Sequence, residues 1–237
     1  MAAQIEIKVL STTAMKMVFE AIAPRFESES GHRLVVELGP SLRQEKRLGE
    51  GETADVAIVT RAGAEDLIAR GKIAAGSLVD VARSSIGICV AQGAPRPDIS
   101  SAAAFKRAML AAKSVALSKP VGGGASGVHM AKVFEQLGIT QAMAAKSHYG
   151  AGGAAGLAGL VVRRGEAEIG IQQMSELMAV AEIDVVGPLP PELQSVTMFT
   201  GALPTSASHA ESGRALLRFL KTPAVKSVIR SKGLEPA

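Results

Sequence analysis

Ile5-Glu-Ile-Lys-Val-Leu-Ser-Thr-Thr-Ala-Met15 decides the fold class, because its periodicity changes partway through. Ile5, Ile7 and Val9 alternate with polar residues, the period-two pattern of a strand. Met15, Phe19, Ile22 and Phe26 then recur at i, i+4, i+7 and i+11, which is one face of a helix. Between the two lie the hydroxyl residues Ser11, Thr12 and Thr13. A strand that enters a helix through a short hydroxyl loop is the building unit of an α/β fold.

The same unit recurs outward along the chain. Leu34–Leu38 and Ala54–Val59 read as strands, with helical runs at Leu42–Leu48 and Ala64–Arg70. Ser114–Ser118 is a further strand, followed by a helix with Met130, Val133, Phe134 and Leu137 on one face and a stop at Gly138. Glu168–Gln172 and Ile183–Val186 continue the alternation. The C-terminal part is helical through Leu216, Leu217, Leu220, Val225, Val228 and Ile229. The fold class is therefore α/β with mixed, mostly parallel sheets. Breaks rich in Pro and Gly follow Ile86–Val90 (Gly93–Pro97) and precede Ser195–Thr200 (Gly187–Pro191). If the chain crosses between lobes at these two strands, residues 1–83 and 197–237 form one lobe and 84–196 the other.

Composition excludes several classes. The 237 residues are 47% hydrophobic and 20% charged, which is incompatible with a disordered chain. Aromatics are only 3%, with no Trp, arguing against sugar-stacking and base-stacking sites and hence against nucleic-acid partners. The net charge of +4 comes from dispersed Lys and Arg and selects no partner. The single Cys89 has no internal partner and reads as a small buried hydrophobe. No apolar run of ~18 residues exists, so no transmembrane helix is expected. Met1–Lys8 leads almost directly into a strand pattern without a basic and then apolar segment. The expectation is a cytoplasmic protein, or a periplasmic one whose signal peptide was removed.

Three strand-to-helix junctions carry the chemistry: Leu10-Ser-Thr-Thr-Ala14, Gly39-Pro-Ser-Leu42 and Val121-Gly-Gly-Gly-Ala-Ser-Gly127. Each is expected to put Ser or Thr at an N-cap beside free backbone N–H groups, and none contains a carboxylate. Such positive helix ends suit an anion. The plainer alternative is that these hydroxyls simply cap. Val121–Gly127 lacks the Gly-Lys-Ser/Thr of a nucleotide-binding loop, and no Gly-x-Gly-x-x-Gly opens the first helix. Arg43, followed by Lys46 and Arg47, is a candidate carboxylate clamp set against a solvated helix face. His129 is either a base or a packed histidine. His32, His148 and His209 have no partner at metal-ligand spacing, so neither a metal site nor a cofactor is expected. Tyr149 and the loop Gly150–Gly153 are candidates for the edge of a cleft, and Asp55 for a structural cap.

In order along nearly the whole chain, the sequence resembles the molybdate-binding type of periplasmic solute-binding protein, a two-lobe type II fold. The resemblance rests on Ile7–Thr13, Phe26-Glu-Ser-Glu-Ser-Gly31, Gly39-Pro-Ser41, Gly51-Glu-Thr-Ala-Asp-Val-Ala-Ile58, Gly124-Ala-Ser-Gly127 and Arg164-Gly-Glu-Ala-Glu-Ile-Gly-Ile171. It implies an anion held in a cleft between the lobes by Thr12, Thr13 and Ser41 from the first and Ser126, Gly127 and the backbone near Ala154 from the second. It also implies a monomer that hands its small anionic ligand to an ABC permease. Two departures alter the cavity: Ala14 replaces a second Ser, and Gln173 stands where the family commonly has Tyr. A sulfate-like ion or a small carboxylate then becomes at least as suitable as molybdate. The alternative implied by the same resemblance is an isomerase of small unsaturated carboxylates, aconitate-isomerase-like, with His129, Arg43 and Lys119 as candidate groups. A ligand-sensing domain is a third reading, without an attached DNA-binding segment.

Overall fold

In the computed structural model, which describes residues 4–150 and 154–237, the chain divides into two compact units. Unit 1 comprises Met1–Ser84 and Thr197–Ala237, and unit 2 comprises Ser85–Val196. Unit 1 opens with β1 (Glu6–Thr12), α1 (Lys16–Ser30), β2 (Arg33–Gly39), α2 (Ser41–Gly49), β3 (Val56–Thr60), α3 (Arg61–Ala69) and the first half of β4 (Val79–Ala91). Unit 2 continues through α4 (Ala102–Ala111), β5 (Val115–Leu117), α5 (Ala125–Gln136), α6 (Thr140–Ala144), β6 (Ser147–Tyr149), α7 (Ala158–Arg163), β7 (Ile169–Gln173), α8 (Met174–Leu177) and β8 (Ile183–Pro188). Then β9 (Val196–Ala202), α9 (Ala210–Leu220), α10 (Pro223–Ser231) and β10 (Glu235–Pro236) complete unit 1.

In unit 1, β1 is central: it pairs in parallel with β2 from Glu6↔Arg33 to Thr12↔Gly39, and with β3 from Val9↔Val56 to Ser11↔Ile58. β9 is antiparallel to β3, and β10 is antiparallel to the start of β4. Period-two alternation sends successive side chains to two cores. Ile7, Val9, Val56 and Ile58 join Phe19, Ile22 and Phe26 of α1 with Leu216, Leu220 and Ile229 of α9 and α10. Leu10, Ala57 and Val59 join Leu48 of α2 and Leu67 of α3 on the other face. Each fully buried Leu, Ile or Phe contributes roughly 1.5–3 kcal/mol. Helices thus cover both faces, the arrangement that parallel strands require.

Unit 2 repeats the scheme. β5 is parallel to both β6 and β7, while β4 pairs antiparallel with β7 and β8. Ile88, Val115, Leu117 and Ile171 face a core with Phe105, Met130 and Phe134, and Cys89 and Ala116 face a second with Val161 and Leu177. The sheets are mixed: the parallel pairs are β2-β1-β3 and β6-β5-β7, and antiparallel partners flank them. The strand read at Ile86–Val90 is the second half of the thirteen-residue β4. The C-terminal helical run is two helices, because Pro223 lacks an N–H and sits at the start of α10.

Candidate functional site

Parallel pairing puts the carboxyl ends of β1, β2 and β3 on one edge of unit 1, and α1, α2 and α3 begin there. At this edge the Ser41 hydroxyl lies 3.0 Å from the Thr12 hydroxyl, so the structure joins two of the expected residues. Thr13 is 4% exposed, and its Oγ1 has no hydrogen-bond partner within the protein. The expected N-cap roles do not hold. Pro40, in an extended conformation at φ −56° and ψ 142°, occupies the cap of α2, leaving Ser41 as its first helical residue. Thr12 caps a 3-10 turn at Thr13–Met15 without a side-chain cap bond, so Thr13 lies inside that turn. Ordinary capping is found elsewhere: Thr60 Oγ1 accepts from the Gly63 N–H at 3.0 Å, and Ser101 Oγ from the Ala104 N–H at 3.2 Å. Gln44, fully buried, donates from Nε2 to the Ser11 carbonyl at 3.1 Å and the Glu37 carbonyl at 2.7 Å. It ties the ends of β1 and β2 to α2, a role not anticipated from the sequence. Its one signal there was a polar residue four positions before buried Leu48.

Unit 2 has a corresponding edge at the carboxyl ends of the parallel β5 and β7, where α5 and α8 begin. Gly124, not Ser126, is the N-cap of α5, and no side chain caps it. Ser126 is the second helical residue, 1% exposed, with its Oγ unpartnered within the protein. A Cβ on Gly127 would stand 2.4 Å from the Ser118 carbonyl oxygen, and one on Gly123 2.1 Å from that of Lys119. The backbone of Ser118–Lys119 therefore crosses directly over this first turn, which only glycine permits. Gln173 is buried at the end of β7 and is the N-cap of α8. Ala154 opens a 3-10 turn, Ala154–Gly156, and residues 151–153 of the expected cleft-edge loop lie outside the described residues.

Three residues near Gln173 escaped the sequence reading. Ser175 carries another buried, unpartnered hydroxyl. Gln172 Oε1 accepts from the Ala158 N–H at 2.7 Å, holding the start of α7. Glu176 is a buried carboxyl whose burial pushes its pKa up to about 7, against hydrogen bonds from the Gln173 backbone and the Gln172 side chain. The spacing of Gln173 to Glu176 is that of a capping box, the one sequence signal that pointed to it.

The charged candidates have other surroundings. Arg43 is exposed on α2 and makes no ion pair among the described residues. Arg47 is held by Glu37 and Glu52, and its guanidinium depresses the carboxyl pKa of Glu52 to about 2. His129 Nε2 lies 2.7 Å from the Leu193 carbonyl oxygen, which makes it a packed histidine. Lys119 is exposed and Tyr149 half-exposed. Asp55 accepts from the Lys8 N–H at 3.0 Å and the His209 N–H at 2.8 Å, anchoring the start of α9 to β1. Burial pushes the Cys89 thiol up to about 12. Within unit 1 the first turns of α1 and α2 contain no carboxylate, and within unit 2 that of α5 contains none, whereas Glu176 lies in the first turn of α8. An uncharged first turn of this kind suits an oxyanion.

Known proteins agree with this architecture. A model of the family described as bacterial extracellular solute-binding protein matches residues 7–235. An aconitate isomerase from Pseudomonas sp is 36% identical over 236 residues, covering 97% of this chain and 87% of that protein. The periplasmic molybdate-binding protein of Azotobacter vinelandii superposes with a TM-score of 0.79 at 17% identity, covering 96% of this chain and 98% of that one. The sulfate-binding protein SubI of Mycobacterium tuberculosis H37Rv superposes with a TM-score of 0.79 at 15% identity, covering 99% of this chain and 88% of that one.

Proposed function

The chain belongs to the bacterial extracellular solute-binding protein family, and from that premise we propose that it captures a small organic polycarboxylate of the aconitate and citrate class. The observation that carries this reading is that two of the buried, unpartnered hydroxyls, Thr13 Oγ1 and Ser126 Oγ, each lie at the carboxyl edge of their own unit. A buried hydroxyl without a partner costs roughly 1–3 kcal/mol, which a bound oxyanion would relieve. Thr12, Ser41, Gly127, Gln173 and the backbone near Ala154 complete the donor set in this reading, with Arg43 as an outer clamp. The 36% identity to an aconitate isomerase favours a carboxylate over molybdate or sulfate. Ala14 and Gln173, which depart from the molybdate-binding pattern, support the same choice. Delivery of the ligand to an ABC permease follows the family's role.

A second reading is isomerisation of the bound carboxylate by moving a proton next to a carboxyl group. It is favoured by the same relative and by Glu176, whose raised pKa suits a general base near neutral pH. Thermal unfolding with aconitate, citrate, molybdate, tungstate, sulfate and phosphate tests the first reading. A true ligand at a hundredfold excess over Kd adds about 2.7 kcal/mol of stability. Proton NMR of cis-aconitate incubated with the protein tests the second, by appearance of the trans isomer. Absence of any shift with all six anions would overturn the anion site itself.

A further inference from the structure

We propose that unit 2 carries a second small-molecule site, for an amphipathic carboxylate, in the cavity between α4, the Gly93–Pro97 loop and the turn that follows α7. The cavity measures about 750 Å³ and is walled by residues of unit 2 alone. That volume lies within the range of small-molecule pockets, about 300–1,000 Å³. Ile169, at the amino end of β7, lines it, whereas the candidate anion edge lies at the carboxyl end with Gln173. The two places are therefore at opposite ends of the same strand.

The cavity is open because its wall is built from methyl groups. α4 contributes Ala104, Ala108 and Ala111 at i, i+4 and i+7, while its larger Phe105 and Met109 fill the core. A closed interior would fill such a volume with larger apolar side chains. Pro95 and Pro97, with fixed φ, form one lip. Two exposed arginines, Arg96 and Arg107, are among the residues that line the cavity. Among the described residues Arg96 makes a single long bond, 3.4 Å to the Val185 carbonyl, and Arg107 lies 3.8 Å from Asp98, both of that pair being well exposed. The carboxylates of the lining already have backbone donors: Asp98 accepts from the Ser100 N–H at 3.0 Å, and Glu168 from the Lys113 N–H at 2.8 Å. An apolar chamber whose lining includes two weakly engaged arginines recognises a ligand with an apolar body of several carbons and one carboxylate.

Octanoate is the probe, titrated into the full chain by isothermal calorimetry, with octan-1-ol as its uncharged counterpart. The expected result is saturable octanoate binding, with octan-1-ol at least about fivefold weaker. Ala108→Phe, which fills the chamber, is expected to abolish binding, and Arg107→Gln to weaken octanoate about fivefold without changing octan-1-ol. Ala111→Phe, at the exposed end of the wall, gives the same test should Ala108→Phe fail to fold. Aconitate binding in these variants stays as in wild type, so failure here and failure of the anion edges are told apart. No saturable octanoate binding, or binding that survives both Phe variants, would overturn the proposal. So would concentration-dependent self-association that the Phe variants abolish, which would make a second copy the occupant.

Discussion

At the residue scale, the structure separates hydroxyls that hold the protein together from hydroxyls that do not. Thr60 and Ser101 cap α3 and α4, whereas Thr13 and Ser126 make no bond within the protein. The sequence showed which residue types gather at the strand ends, and Ser41, Thr12, Thr13 and Ser126 were all legible there. Their exact helical positions were not, because an extended Pro40 and a bare Gly124 shift the caps by one or two residues. Glu176 carries one local signal, its capping-box spacing from Gln173, but its interest comes from burial, which that spacing does not encode. Its folded pKa, raised from 4.5 to about 7, means the folded state holds a proton that the unfolded chain has already released. Stability from this group is full below pH 4.5 and is lost as pH rises to about 7. Glu176→Gln is expected to flatten that decline, worth at most about 3 kcal/mol, in urea titrations across this pH range. An unchanged slope in the variant would place the carboxyl in water instead.

At the element scale, helix existence followed from periodicity, as with Met15, Phe19, Ile22 and Phe26, all buried in one core. α4, at Ala102–Ala111, was not anticipated from the sequence: its start is set by the Ser101 cap after a loop of Pro, Asp and Ser, and five of its ten residues are alanine. Two substitutions test what holds the helix starts. Thr60→Ala removes the cap of α3 and the 2.7 Å bond to the Glu45 carboxylate, whose burial already raises its pKa. The expected cost is about 1–2 kcal/mol, seen as a lower urea midpoint at unchanged m. Gly127→Ala forces a Cβ to 2.4 Å from the Ser118 carbonyl oxygen, so the first turn of α5 must move. A loss of about 2 kcal/mol or more is expected, together with loss of anion binding. Wild-type stability in Gly127→Ala would show that the Ser118–Lys119 crossing is not tight.

At the scale of the whole molecule, scarcity of aromatics and dispersed charge select no ligand by themselves. Alternation of strand and helix was enough for the fold class, since buried parallel strands leave few other solutions. The ligand was not legible at this scale: relatives of the same fold are named for molybdate, for sulfate and for aconitate. The central proposal is that the buried hydroxyls of Thr13 and Ser126 bind a small carboxylate. Calorimetric titration of aconitate into wild type, Thr13→Ala, Ser126→Ala and the double variant tests it most directly. Each single substitution is expected to weaken binding at least about tenfold and the double to abolish it, with unfolding midpoints of the free protein not lowered, because each removes a hydroxyl that has no partner in the protein. Wild-type affinity in the double variant would contradict the account.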